Sequence, residues 1–76
     1  MKTFEVKLST IGEVKQFVTA ATMFDGDIDL KSGRYVVDAK SIMGIFSLDL
    51  MSPIEVTVHS DDCDDFVKAV EMFIVE

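Results

Sequence analysis

With 76 residues, 49% of them apolar and 28% charged, the chain reads as one small folded domain over 1–76 rather than a disordered tail, and such a domain buries only about 60% of the surface its unfolded chain exposes. The formal charge of −7, from seven Lys and Arg against 14 Asp and Glu, argues against direct nucleic-acid binding and against docking on an anionic membrane, since both need a basic face. Cys63 is the only cysteine, which excludes a disulfide scaffold and fits a reducing compartment.

Phe4, Val6 and Leu8 alternate with Thr3, Glu5 and Lys7, the pattern of a strand with one buried and one wet face. That alternation lacks the apolar stretch of a signal peptide, and no run approaches membrane-spanning length, so a soluble, cytoplasmic protein is expected. Thr10-Ile11-Gly12-Glu13 has the spacing of a capping box and predicts a helix start. Val14, Phe17, Val18, Ala21 and Phe24 follow at helical spacing, and Asp25-Gly26 supplies the stop.

Asp27–Leu30 and Arg34–Asp38 read as strands joined by a turn around Ser32-Gly33, where glycine is free to take positive φ. Ser41 then stands as N-cap of a short helix whose Ile42, Met43, Ile45 and Phe46 are too dense for one buried stripe, so part of them should stay exposed. Ser52-Pro53 breaks the chain, and Ile54, Val56 and Val58 alternate with Glu55, Thr57 and His59 as a fourth strand. In the last segment Ser60, Asp61 and Asp62 are cap candidates, Asp64 and Asp65 favour a first helical turn, and Phe66, Val67, Val70, Phe73 and Ile74 form its stripe.

The predicted order is strand, helix, strand, strand, short helix, strand, helix. Helices with one apolar stripe and strands with one apolar face predict an α+β fold with a single antiparallel sheet, four-stranded, covered on one side by helices. The acidic run Asp61-Asp62-Asp64-Asp65 lacks the ligand spacing and central glycine of an EF-hand loop, which leaves helix capping as its better account. One His and one Cys assemble no catalytic triad and no zinc site, so neither enzyme activity nor a metal or other cofactor is expected.

Two segments carry a family resemblance. Lys40-Ser41-Ile42-Met43-Gly44 resembles the regulatory-serine motif of HPr, the histidine-containing phosphocarrier of the bacterial sugar phosphotransferase system, and Phe24-Asp25-Gly26-Asp27-Ile28 resembles the junction after that family's first helix. The resemblance covers nearly the whole chain and implies the HPr architecture, a βαββαβα open-faced sandwich. Counting from the shared segments aligns Thr10 with the family's phosphoryl-accepting histidine and Gly12 with its arginine, within Ser9–Val14.

That alignment implies loss of histidine phosphotransfer. Phosphohistidine is a readily transferred species whose charge the arginine and the helix start stabilise, whereas a phosphothreonine ester is too stable to pass on and Gly12 has no side chain. Thr10 keeps only its capping role. His59, the one histidine, lies on the polar face of a strand and reads as a solvated side chain rather than a relocated acceptor.

Ser41 is the inherited site. A phosphoryl group there would meet the positive end of the short helix, with Lys40 beside it. In the family this serine is the target of a dedicated HPr kinase, and the modified protein serves a LacI-type transcription regulator as corepressor. The bland alternative is that Ser41 merely caps its helix. Ile42, Met43 and Phe46 resemble the family's apolar docking surface, although Met and aromatic side chains at such spacing are commonly core. The reading that follows is a regulatory or adaptor protein acting through Lys40, Ser41, Ile42, Met43 and Phe46. Its rivals are a phosphocarrier with an atypical acceptor such as His59, and a structural domain with neither modification.

Overall fold

The computed structural model describes residues 1–75, which run β1 (Lys2–Val6), α1 (Ile11–Met23), β2 (Ile28–Ser32), β3 (Tyr35–Asp38), α2 (Ile42–Phe46), β4 (Ile54–Val58), α3 (Asp64–Val70), a 3-10 turn (Glu71–Phe73) and β5 (Ile74–Val75). The sheet has the order β3-β2-β4-β1-β5, and every neighbouring pair is antiparallel. This is the expected α+β open-faced sandwich with one more strand than the sequence pattern predicts.

β4 lies in the middle, with β1 on one side and β2 on the other. Val56 stands opposite both Phe4 and Leu30, Val58 opposite Lys2 and Ile28, and Ile54 opposite Val6. Because side chains alternate across a strand, this register gathers Val6, Ile28, Leu30, Ile54, Val56 and Val58 on one face, where all are buried. Thr3, Glu5, Asp29, Lys31, Glu55 and Thr57 fall on the other, wet face, where Lys31 sits opposite Glu55 and offsets the Glu55–Glu5 juxtaposition.

The helices cover the apolar face. α1 brings Val14, Phe17 and Ala21, α2 brings Ile45, and α3 brings Phe66 and Val70 into one cluster with the sheet residues. Phe66 joins the two longer helices, its ring edge-on to Phe17 and tilted against Phe24, each at 5.7 Å between centroids. No polar or charged residue is buried among the described residues, so apolar area carries the stabilisation.

The hairpin between β2 and β3 closes through Gly33 and Arg34, one residue later than the Ser32-Gly33 turn the sequence suggests. Ser32 pairs with Tyr35, and Gly33 at φ 61° is the only residue of the turn with positive φ, as a type II′ turn requires.

Two expectations at the end of the chain are corrected. The apolar spacing of α3 continues through Phe73 and Ile74, yet the helix stops at Val70, tightens into a 3-10 turn and extends as β5. There Val75 pairs with Glu5, Ile74 with Val6, and the Lys7 amide donates to the Phe73 carbonyl at 2.8 Å. Pairing covers part of the edge that β1 would otherwise leave open, a gain that a longer helix does not offer. The N-cap of α3 is Cys63, without a side-chain cap bond, rather than Ser60, Asp61 or Asp62. Ser60 Oγ instead accepts from the Asp62 amide at 3.3 Å, and Asp64 and Asp65 occupy the first turn as expected. Cys63 is buried.

Phe17 is fully buried and touches the ring that joins α1 to α3. Phe17→Ala is expected to cost about 3–5 kcal/mol, read as a fall in the urea midpoint with the slope unchanged.

Candidate functional site

Two helix starts carry the residues the sequence points to. At α1 the capping box is complete: the Glu13 amide donates to Thr10 Oγ1 at 3.1 Å, while Glu13 Oε1 accepts from the Thr10 amide at 3.3 Å and from the Ser9 amide at 2.6 Å. The Thr10 hydroxyl therefore serves the backbone. Gly12, next to Ile11 in the first turn, has open space around it apart from Thr10 Oγ1.

At α2, Ser41 is the N-cap, its Oγ accepting from the Gly44 amide at 3.2 Å. Its own amide donates to the Asp38 carbonyl at 3.0 Å, and the Lys40 amide donates to Asp38 Oδ1 at 2.8 Å, so Asp38 holds the chain as it leaves β3. Lys40 and Ser41 are both exposed, and Lys40 has no ion pair among the described residues.

Gly44 fixes how α2 meets the sheet. A Cβ on it would lie 3.1 Å from Cβ of Val37 on β3 and 3.2 Å from Ser41 Oγ, so the missing side chain lets the helix rest directly on the strand. The five-residue helix then buries Ile45 and half-buries Ile42. Met43, 75% exposed, and Phe46, 41% exposed, are turned outward. Of the predicted surface, then, Lys40, Ser41, Met43 and Phe46 reach solvent, whereas Ile42 packs partly against the core.

Lys7 Nζ donates to the Met51 carbonyl at 2.8 Å, tying the approach to α1 to the loop after α2. Two further apolar side chains that periodicity did not single out are exposed, Ile11 at the start of α1 at 63% and Met51 after α2 at 83%. Nothing in the local pattern distinguishes Ile11 from a core position; only its accessibility does.

His59 is elsewhere. It follows β4 on the open face, where its Nε2 contacts Asp29 Oδ2 at 2.8 Å and its amide donates to the Asp27 carbonyl at 2.9 Å. The side chain is paired rather than merely solvated, with both partners a little over two-fifths exposed. A hydrogen bond to the Met1 α-ammonium, and the charge of that group, hold the Asp61 carboxyl below its ordinary range. The described residues contain no cluster suited to a metal ion, and no helix is long and apolar enough to cross a membrane.

The fold is similar to that of solved phosphocarriers. The family model described as the PTS HPr component phosphorylation site matches residues 13–76. The crystal structure of HPr-C-His from Thermoanaerobacter tengcongensis is similar at 30% identity and a TM-score of 0.75, over 95% of this chain and 89% of that one. The phosphocarrier protein HPr from Bacillus anthracis str. Ames is similar at 29% identity and a TM-score of 0.73, over 97% of this chain and 94% of that one. The chain belongs to the HPr family, the phosphocarriers of the phosphotransferase system. Proteins of this family pass phosphoryl groups between protein partners rather than act as conventional enzymes. The match begins at Glu13, so Thr10 and Gly12 lie ahead of it.

Thr10→Ala is expected to cost about 1 kcal/mol, measured by urea unfolding, because it frees the Glu13 amide. Gly44→Val is expected to cost about 1–3 kcal/mol by forcing α2 off β3, with earlier hydrogen exchange at the Ile45 and Leu48 amides.

Proposed function

We propose that this HPr-family chain does not relay phosphate through histidine and acts as a regulatory or adaptor protein through the surface of Lys40, Ser41, Ile42, Met43 and Phe46, under control of phosphorylation at Ser41. The observation that carries this reading is the contrast between the two helix starts. The Thr10 hydroxyl is closed into a capping box, whereas exposed Ser41 opens a helix that presents Met43 and Phe46 to solvent.

The chemistry supports each half. Threonine at the position of the family's histidine forms only a stable ester, and Gly12 has no charge to offer a transferred phosphoryl group. At Ser41 a phosphoryl group would gain from the positive end of α2 and from neighbouring Lys40. Gly44 leaves the space around Ser41 Oγ that a side chain would crowd, since its Cβ would come within 3.2 Å. Exposed Met and Phe side chains beside a modifiable serine give a partner an apolar anchor whose surroundings change charge on modification. An HPr kinase and a LacI-type transcription regulator are the partners proposed, in the bacterial cytoplasm.

Incubation with a bifunctional HPr kinase and ATP is expected to add one phosphoryl group, located at Ser41 by mass spectrometry and absent from Ser41→Ala. Phosphoenolpyruvate and the system's first enzyme are expected to leave no acid-labile phosphate. An unmodified Ser41 under conditions that label ordinary HPr would sink the switch. Acid-labile phosphate, on His59 or elsewhere, would restore the phosphocarrier reading. Failure of both labels together with no retained partner would leave a structural domain.

A further inference from the structure

The far end of α1, about 20 Å along the helix from Thr10, carries a second surface that is independent of Ser41. Here the last turn of α1 and the first turn of α3 flank an open groove of about 430 Å³. Phe24 and Phe66, in ring contact, form its floor, and Met23, 83% exposed, and Ala69 stand at its sides. Three carboxylates rim it: Asp25 after α1, and Asp62 and Asp65 at the start of α3.

The charged side chains of this groove are of one sign. No Lys, Arg or His lines it. Among the described residues the ion pairs are Met1–Asp61 and His59–Asp29, which leaves Asp25, Asp62 and Asp65 without a cation. The last turn of α1 holds no basic residue either, so the negative end of its dipole lies beside Asp25, while Asp64 and Asp65 offset the positive start of α3 across the groove. An apolar trough between two helices, ringed by mutually repelling carboxylates, is complementary to a ligand that is apolar along its middle and cationic along its edges.

We propose that this groove docks a protein partner through a basic amphipathic helix, with an apolar side chain seated on Phe24 and Phe66 and Arg or Lys side chains reaching Asp25, Asp62 and Asp65. A helix laid into a groove matches a trough formed by two helix ends, and arginine adds bidentate bonds to the carboxylates and stacking on the aromatic floor. A second copy of this chain fits poorly. Its seven cations are scattered as Lys2, Lys7, Lys15, Lys31, Arg34, Lys40 and Lys68, and two copies of net charge −7 repel.

The test is a titration of the whole ¹⁵N-labelled chain with an amidated peptide of about 14 residues, carrying leucine at i, i+3, i+4 and i+7 with arginines flanking that stripe. Shifts confined to residues 20–25 and 62–69 are expected. Affinity should fall about tenfold in the triple variant Asp25→Asn, Asp62→Asn, Asp65→Asn, and binding should be lost in Ala69→Arg. All four positions are exposed, so Ala69→Arg is expected to leave thermal unfolding unchanged, and the triple variant to stay folded with only a small fall in midpoint from removing the Asp65 charge at the start of α3. A peptide with the arginines kept and the leucines replaced by serine should bind about tenfold more weakly or worse. Shifts scattered over the surface or gathered on α2, or equal binding of the serine peptide, would overturn the proposal. So would the same shifts at the same affinity with arginine amide alone, which would make a small amine the occupant. Groove shifts on concentrating the protein without peptide would make a second copy the occupant and overturn it as well.

Discussion

Burial of one face of one sheet is the constraint on which this molecule rests. β4 is paired on both sides and contributes Ile54, Val56 and Val58, all wholly buried, so its backbone and its apolar side chains are satisfied only when β1, β2 and the helices are all in place. A chain of this length has no second core to fall back on, and apolar area is therefore its main source of stability. Phe66 extends that constraint to the helices, since its contacts with Phe17 and Phe24 set α3 against α1.

The shortness of α2 follows from the same constraint and shapes the exposed surface. A five-residue helix has little more than one turn, and only Ile45 and part of Ile42 reach the core. It stays in place because Gly44 allows contact with Val37 and because Ser41 Oγ caps the helix by accepting from the Gly44 amide. The apolar residues left over, Met43 and Phe46, sit beside a serine whose hydroxyl is accessible. Local geometry thus sets an exposed serine next to exposed apolar side chains, the two elements on which the proposed switch rests.

The two ends of α1 are chemically unlike. Its N-terminus is closed by its own capping box, in which Glu13 serves the amides of both Ser9 and Thr10. Its C-terminus has no compensating cation and opens on a groove edged by carboxylates. A protein of net charge −7 can carry such a concentration of charge on its surface at little cost, because the carboxylates remain solvated and no buried group depends on them.

The sequence by itself determined the local elements: the alternation in β1 and β4, the Thr10 box, the stripe of α1, the Ser41 cap and the excess of apolar residues on α2. Each of these is a contest among neighbours in the chain, which periodicity and capping chemistry describe well. Only the tertiary structure decided the fifth strand, where an edge of β1 distant in sequence outcompetes the helical spacing of Phe73 and Ile74. It alone paired His59 with Asp29 across the sheet, tied Lys7 to the Met51 carbonyl, and set Gly44 against Val37 of β3. Such features depend on which residues meet at long sequence separation, and a pattern of near neighbours holds no record of that.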